Sequence, residues 1–270
     1  NTTRRHQAYR WRSGRPESGP EMLAVEEPLE IRLAGRRFTI TMRTPGHDEE
    51  LVAGFLFAEG FVSSTSEIDE VRRVRGTDGK PEANIVDVIL KVPVETLRER
   101  LQRNFTMNSS CGLCGKTSID SIRRRIAPID GRVSISTETL SRLGATMNAD
   151  QALFAKTGGV HAAALFDLWG ALKALREDVG RHNAVDKVVG WAMSRNLLPL
   201  ADSIVMASGR LSFEIVQKVA AAGAPILAAV SAPSSLAVEL ADEAGVTLVG
   251  FLRDASFNVY THPERVSGKG

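Results

Sequence analysis

The second half of the chain alternates short apolar segments with amphipathic segments of about ten residues. The apolar segments are four to seven residues long, which is typical of strands, and the segments between them have a helical period. The apolar segments occupy residues 160–165, 204–207, 226–230 and 246–252. Strands separated by helices of this length can pair in parallel when the helices cover both faces of the sheet. The sequence therefore predicts an α/β domain built on a partly parallel sheet.

Capping residues predict where helices in this half begin and end. Asn183 is predicted at the N-cap of one helix, and Ser234 or Ser235 at the N-cap of another, because their side chains can accept from free backbone N–H groups. Gly144 is predicted to break a helical segment into two pieces. Gly223 is predicted to end a helix over 213–222.

The first half has a different order of elements. Alternating or apolar runs predict four strands, which are placed at 25–33, 36–42, 68–74 and 85–92. A helix is predicted after the acidic residues that follow His47, and another after Pro93, where proline suits a first turn. The order strand, strand, helix, strand, strand, helix predicts a small α+β domain similar to a β-grasp.

The first 22 residues carry five arginines but few apolar side chains at either period: Arg4, Arg5, Arg10, Arg12 and Arg15. We expect a flexible basic arm, which either binds an anion or is simply solvated. The predicted organisation is this arm (1–22), a β-grasp-like domain (23–104), a cysteine-containing junction (105–127) and an α/β domain (128–270).

Composition indicates an ordinary soluble protein, with 43% hydrophobic residues and a net charge of +2. The nearly balanced charge does not indicate a nucleic-acid partner. No apolar run approaches the roughly 18 residues of a membrane-spanning helix, and no apolar segment follows the basic N-terminus as in a signal peptide. We therefore expect a cytoplasmic protein that does not enter a membrane.

The two cysteines of the chain, Cys111 and Cys114, are separated by two residues and flanked by glycines. Lys116 and the arginines at 123–125 make their surroundings electropositive, which favours the thiolate. Three uses stay open: half of a zinc site, a dithiol redox pair, or a persulfide carrier. A zinc site needs further ligands, and no second C-x-x-C occurs in the sequence.

Loops at the predicted strand ends form a second group of candidates. Ligands of such sheets bind outside the carboxyl ends of strands, so Gly158 and Gly159, 208–210, 231–233 and 253–256 are candidate pocket loops. Gly209 and Arg210 follow a strand and precede a helix, where backbone N–H groups and a guanidinium can receive a phosphate. The polar stretch 176–183 is either a capped helix start with solvated ion pairs or a pocket edge.

Taken together, these stretches resemble the FdhD family, the accessory sulfurtransferases of formate dehydrogenase. The resemblance covers about residues 25–262 in the family's order. The matching motifs are EEPL (26–29), MRTPG (42–46), GFLFAEG (54–60), SCGLCGK (110–116), TGGVHAA (157–163), DVGRHNAVDK (178–187), SGR (208–210) and SAP (231–233).

The resemblance implies a β-grasp-like N-terminal domain and a three-layer C-terminal domain similar to cytidine deaminases. It also implies a sulfurtransferase that takes sulfane sulfur from a cysteine desulfurase. The sulfur passes to the bis-molybdopterin guanine dinucleotide molybdenum cofactor before that cofactor enters formate dehydrogenase. A homodimer is expected, with GDP as a mimic of half of the cofactor.

Carried onto this chain, the resemblance makes Cys111 the persulfide carrier and Cys114 its helper. The predicted cofactor-binding residues are Phe251, Leu252, Arg253, Asp254, Ala255, Ser256, Gly158, Gly159, His182, Gly209 and Arg210. No metal ligands are predicted, because the deaminase zinc signature is absent: Ala162 and Ala163 follow His161. The alternatives are a cofactor-binding chaperone without sulfur transfer and a zinc-dependent hydrolase or deaminase that uses the C-x-x-C.

Overall fold

The computed structural model describes residues 1–75, 81–91, 96, 126–130 and 132–268. Over these residues the protein is of the mixed α/β class, as the sequence predicts, with sheets of four and six strands and two further two-stranded sheets. The likeness to β-grasp and cytidine deaminase domains stays a prediction, as do the boundaries of the later domains. Nearly all of the helix predicted after Pro93 lies outside the described residues.

An N-terminal hairpin occupies the stretch in which we expected a flexible arm, so that expectation is wrong. Its antiparallel strands are β1 (Thr3–Arg12) and β2 (Arg15–Ala24). Ser13 and Gly14 join the strands with φ values of 50° and 79°, as a tight two-residue hairpin turn requires. Both faces of the hairpin bear polar residues, which hides the two-residue period of its strands. Ion pairs such as Arg10–Glu21 (2.5 Å) link the two strands.

The four-stranded sheet contains the predicted strands of the first half. Its order is β4-β3-β6-β5, with β3 and β6 parallel and the other neighbours antiparallel. One helix, α1 (Asp48–Ala58), follows β4 and has three acidic residues in its first turn. The strands are β3 (Glu27–Leu33), β4 (Arg36–Arg43), β5 (Ile68–Arg75) and β6 (Pro81–Leu90).

The six-stranded sheet forms the second half and has the order β13-β12-β11-β10-β8-β9. Strands β10, β11 and β12 are parallel, which confirms the predicted partly parallel sheet. The strands are β8 (His161–Asp167), β9 (Leu172–Asp178), β10 (Ser203–Ala207), β11 (Ile226–Ala229), β12 (Thr247–Arg253) and β13 (Ser256–Val259). The helices are α2 (Thr137–Asp150), α3 (Ala152–Thr157), α4 (Arg181–Met193), α5 (Phe213–Ala221) and α6 (Ser235–Glu243). Two short strands, β7 (Ile135–Ser136) and β14 (Val266–Ser267), pair beside this sheet.

Helices cover both faces of the six-stranded sheet. Along β10, Val205 belongs to the apolar cluster that includes α4, α5 and α6, whereas Ile204 and Met206 belong to the cluster on the α2 side. The first cluster also contains Leu29 of β3 and Leu51 of α1. The first cluster therefore contains residues of both large sheets, and it holds the two sheets and their loops in place relative to each other.

Two of the predicted helix boundaries are wrong. Helix α2 runs through Gly144 without a break, because buried residues on both sides of the glycine, Leu143 and Met147, hold the helix against the core. Helix α4 begins after Gly180, and Asn183 lies inside its first turn, where its amide donates to backbone and carboxylate oxygens instead of capping. The predicted cap at Ser234 is confirmed, since its Oγ accepts from the N–H of Ala237.

Candidate functional site

Five loops meet at one edge of the six-stranded sheet. The parallel strands β10, β11 and β12 all end there, and β9 ends there as well. Strand β8 begins at this edge because it is antiparallel to β10. The loops that precede or follow these strands are 157–160, 179–180, 208–212, 230–234 and 254–255. The structure thus brings the predicted pocket loops together, although their contact with a cofactor stays a prediction.

A cleft of about 430 Å³ opens between α2 and this edge. Gly158 and Gly159 form part of its wall, as does Ser208 at the end of β10. The Oγ of Ser208 accepts from the N–H of Ala162 at 2.8 Å, which leaves its own hydrogen free to donate. Ser208 therefore adds a polar group to a wall that combines backbone and apolar side chains with Asn148, Gln151 and His161.

Gly209 permits a close approach of its loop to His161 and Arg181. A Cβ at this position would lie 3.3 Å from Nδ1 of His161 and 3.6 Å from Cδ of Arg181. Burial, and next the charge of Arg181, hold the pKa of His161 below its usual value, although Asp178 opposes them. His161 is therefore uncharged at neutral pH.

Arg181 is the first residue of α4, and its Nε is buried without a hydrogen-bond partner among the described residues. The N-terminus of a helix favours anions because its first N–H groups are free and the helix dipole is positive there. A buried guanidinium nitrogen without a partner strengthens this preference. The arrangement can thus hold an anionic group near the cleft, whose wall includes Val179 just before α4.

His182, predicted as a cofactor-binding residue, follows Arg181 at this edge. Its Nε2 lies 3.3 Å from Oγ of Ser212 and 3.8 Å from a carboxylate oxygen of Glu214. Burial, followed by the charges of Lys218 and Arg181, lowers its pKa to about 4, and Glu214 only partly opposes them. His182 is a neutral hydrogen-bonding group at neutral pH.

The ion pairs of the stretch 176–183 are buried, so they are not the solvated pairs that one of its two interpretations expects. Asp178 is fully buried, pairs with Lys187 at 2.7 Å and accepts from the N–H of Thr44 at 3.1 Å. Lys187 also donates to the carbonyl of Thr44. Asp178 and Lys187 thereby tie the end of β4 to the site, while Arg181 and His182 form the site's edge.

The predicted segment 251–256 divides into exposed and buried residues. Leu252 is 1% exposed and belongs to the core on the α2 side, so its side chain cannot contact a ligand without leaving that core. Phe251 is 41% exposed, and its N–H donates to the carbonyl of Ser231. Residues 253–256 are exposed and form the turn from β12 to β13. Arg210 is also exposed and has no ion pair among the described residues.

Two carboxamides of the cleft were missed by sequence reasoning. Asn148 and Gln151 come from the end of α2 and from the junction between α2 and α3. The sequence shows only polar residues near a helix end, and the approach of α2 to strands far along the chain brings them to the edge. Arg181 also belongs to the candidate site, although the sequence pointed only to the polar stretch 176–183 that contains it.

Cys111 and Cys114 lie outside the described residues. In the part that the structure describes, no three His, Cys, Asp or Glu side chains are grouped so that they could hold a metal ion. Within the same residues, no helix is long and apolar enough to span a membrane.

These features describe a mixed α/β protein with a candidate ligand site at the carboxyl edge of a partly parallel sheet, beside a cationic helix N-terminus. The chain belongs to the FdhD/NarQ family, whose family model matches residues 24–267.

Two curated relatives share most of their length with this chain, and both are named sulfur carrier protein FdhD. The one from Mycobacterium tuberculosis is 51% identical over 255 residues, which are 92% of each chain. The one from Mycolicibacterium paratuberculosis is 46% identical over 268 residues, which are 98% of each chain. A crystal structure described as a formate dehydrogenase accessory protein from Desulfotalea psychrophila is 28% identical. It superimposes with a TM-score of 0.77 and covers 99% of this chain and 100% of its own.

Proposed function

We propose that this protein is a sulfur carrier for the maturation of formate dehydrogenase, with Cys111 as the carrying residue. The observation that carries the proposal is that the chain is 51% identical to a protein named a sulfur carrier. Both of its cysteines belong to one C-x-x-C motif. Lys116 and the arginines at 123–125 follow this pair in the sequence, and cations favour the thiolate that such chemistry needs.

Loading of the carrier is an exchange of one persulfide for another. The Cys111 thiolate attacks the outer sulfur of a cysteine persulfide on a desulfurase. A new S–S bond forms at Cys111, the S–S bond of the desulfurase breaks, and its cysteine leaves as a thiolate. This step needs neither oxidant nor reductant.

Release of the sulfur as sulfide needs two electrons, because the outer sulfur of a persulfide is more oxidised than a sulfide ligand. Cys114 supplies them when its thiolate attacks the inner sulfur, that of Cys111. A Cys111–Cys114 disulfide forms, the bond to the outer sulfur breaks, and hydrosulfide leaves for the molybdenum of the cargo. A cellular thiol such as glutathione then reduces the disulfide.

The cargo is the bis-molybdopterin guanine dinucleotide molybdenum cofactor, bound at the sheet edge of a cytidine-deaminase-like half, beside a β-grasp-like half. The exposed residues of 251–256, the loop at Gly209 and Arg210, and the start of α4 at Arg181 supply groups for its nucleotides and phosphates. The protein acts in the cytoplasm as a homodimer, between a cysteine desulfurase and formate dehydrogenase. GDP mimics half of the cargo, so calorimetry should show it binding to the parent protein.

The decisive experiment measures protein-bound sulfur by mass after incubation with cysteine and a cysteine desulfurase. The parent should gain the mass of one sulfur on the peptide that contains Cys111. Cys111→Ala should gain none, whereas Cys114→Ala should load but form no disulfide and release little hydrosulfide. Loading of Cys111→Ala to the parental level would refute the assignment.

Two rivals give different results in the same preparations. A cofactor chaperone would bind GDP and the cofactor but carry no persulfide. A zinc hydrolase or deaminase would contain stoichiometric zinc that is lost in Cys111→Ser, which elemental analysis detects.

A further inference from the structure

We infer that the N-terminal hairpin and a cavity at its base form a docking surface for formate dehydrogenase, and that the segment docked there is apolar and acidic. The surface is built from described residues of β1, β2, β4 and β5. The choice of formate dehydrogenase as the partner rests on the proposed function.

One face of the hairpin presents two aromatic side chains to solvent. Tyr9 is 74% exposed and Trp11 is 71% exposed, and both lie on this face because they are two residues apart on β1. Residues directly opposite each other in an antiparallel pair share a face. This aromatic face therefore runs from the pair Trp11–Pro16 near the turn to the pair Arg5–Met22 at the base of the hairpin.

The fold of the hairpin does not explain these aromatic side chains. A two-stranded hairpin is only marginally stable in water by itself, and side chains as exposed as Tyr9 and Trp11 bury little area that could support it. Tyr, Trp and Arg are the residue types that most often dominate binding at protein interfaces. The aromatic face is explained by a partner that covers it.

The size of the aromatic face favours a transient partner over a second copy of this chain. Strands of ten residues are about 33 Å long, and two neighbouring strands are about 10 Å wide, so the face covers a few hundred Å². A stable interface buries about 800 Å² on each partner. Two hairpins that met by this face alone would not form a stable dimer, whereas a carrier that must release its partner needs a small contact.

The aromatic face continues into a cavity of about 780 Å³ at the base of the hairpin. Met22 belongs both to the face and to the lining of the cavity. The cavity also receives arginines from three different strands, namely Arg4 and Arg5 of β1, Arg43 of β4 and Arg73 of β5. Strands that are far apart in the sequence thus bring their guanidinium groups to one place.

The two carboxylates that line the cavity are already paired. Asp48 lies 2.9 Å from Arg43 and 3.5 Å from Arg73, and Glu27 lies 3.7 Å from Arg43. Arg4 and Arg5 are exposed and form no ion pair with any residue that the structure describes. A carboxylate from a partner can accept from such a guanidinium in a bidentate manner. The cavity therefore favours an acidic side chain.

A protein segment suits this surface better than a nucleic acid does. Two further arginines of the hairpin are paired with its own glutamates, Arg10 with Glu21 at 2.5 Å and Arg12 with Glu17 at 3.9 Å. Nucleic acids require a basic face that contacts many phosphates, and the net charge of the chain is only +2. Exposed aromatic residues beside a small group of free cations suit an apolar segment that carries a few carboxylates.

The docking surface adjoins the candidate site. Pro45 and Gly46 line the cavity, and the N–H of the preceding Thr44 donates to Asp178 at the end of β9. Strand β2 packs against α3, which forms part of the wall of the cleft. A protein docked on the hairpin lies beside the edge at which the proposed cargo is bound. This position favours the protein that receives the cargo over the desulfurase that loads Cys111.

Surface plasmon resonance tests the aromatic face, with the full chain immobilised and purified formate dehydrogenase without its cofactor in solution. The double variant Tyr9→Ala/Trp11→Ala should bind about tenfold more weakly than the parent or worse. Trp169→Ala is the matched control, because Trp169 is 81% exposed in the turn between β8 and β9, at the opposite edge of the sheet. The control should bind as the parent does.

Charge reversal tests the cavity in the same assay. Arg4→Glu/Arg5→Glu should also weaken binding by about tenfold or more, and its remaining binding should depend less on salt than that of the parent. Arg36→Glu is the control, since Arg36 is exposed at the far end of β4 from the cavity. It should leave the affinity for formate dehydrogenase unchanged.

Further outcomes would overturn the inference. It fails if formate dehydrogenase does not bind the parent, if either double variant binds it normally, or if the variants lose the desulfurase instead. A change of oligomeric state in Tyr9→Ala/Trp11→Ala, measured by sedimentation, would make the face an interface between copies. Both double variants should unfold at the parental urea concentration, because the replaced side chains are exposed. A lower midpoint would mean that these residues serve the fold.

Persulfide loading of the same proteins keeps the two proposals distinguishable. Both double variants should load Cys111 as the parent does, because the desulfurase does not use this surface. Failure of the parent to load would count against the sulfur-carrier function. Normal binding of formate dehydrogenase by the variants would count only against this docking surface.

Discussion

Gly54 of α1 and Gly190 of α4 lie on the facing sides of two helices whose backbones touch. A Cβ at Gly54 would fall onto the backbone carbonyl of Asp186, and one at Gly190 onto the carbonyl of Glu50. Only residues without a side chain permit this approach. Because α4 begins at the candidate site and α1 belongs to the first half, the contact fixes the site to both halves of the protein.

Alanine at either glycine should therefore destabilise the protein. Gly54→Ala or Gly190→Ala forces two helix backbones apart, and such overpacking costs about 1–3 kcal/mol in the free energy of unfolding, measured in urea. Gly144→Ala in α2 is the control, because its nearest neighbour would be Met206 Cε at 3.7 Å. This control should gain up to about 1 kcal/mol from helix propensity. Equal stability of Gly54→Ala and the parent would contradict the predicted clash.

Lys218 is predicted to be essential to the packing of α1, α4 and α5. Its ammonium is buried 2.9 Å from Asp186 and 3.2 Å from Glu59. Burial raises the pKa of Asp186 to about 6, although Lys218 opposes the shift. Lys218→Met leaves these carboxylates without their cation and should cost about 3–5 kcal/mol in urea unfolding.

The matched control for that substitution is Lys173→Met. Lys173 pairs with Asp167 at 2.8 Å but is 49% exposed, so the change should cost less than about 1 kcal/mol. If the two variants lost equal stability, the buried network would not have the predicted importance.

His182 should make stability depend on pH in mildly acidic solution. Its pKa is about 4 in the folded protein, lowered by burial and by Lys218 and Arg181 against the pull of Glu214 and Glu59. An unfolded histidine takes up its proton near pH 6.5. Between these values the unfolded state binds more protons, so stability falls as the pH decreases from about 6.5 to about 4.

The measurement compares the parent with His182→Gln, which cannot take up this proton. The free energy of unfolding of the parent, relative to that of the variant, should decrease as the pH is lowered through this window. A constant difference from pH 7 to pH 4 would show that burial does not lower the pKa of His182.

The sequence predicted the elements whose signals are local and missed those that depend on distant neighbours. Strands such as β10 and β11 are apolar throughout because both faces of the sheet are covered, and that pattern is visible in the chain. The hairpin at Ser13 and Gly14 was missed because its strands bear polar residues on both faces. Its Ser-Gly pair was the available turn signal.

The candidate site shows the same limit. Glycine-rich loops at strand ends were predictable from the topology of parallel sheets. The place of Gln151 in the cleft was not, because it depends on the approach of α2 to strands far along the chain. The burial of Leu252 was also missed, since the motif that contains it is continuous in sequence but alternates between solvent and core along β12.

Glu177 should stabilise α3 and the wall of the cleft together. Its carboxylate accepts from the N–H groups of Leu153 and Phe154, and loss of such a cap costs about 0.5–2 kcal/mol. Glu177→Ala should therefore lower the urea midpoint, and the amides of Leu153 and Phe154 should exchange their hydrogens faster. Glu138→Ala is the control, because the ion pair that Glu138 forms with Arg142 is exposed. Unchanged exchange at Leu153 and Phe154 in Glu177→Ala would mean that another group caps α3.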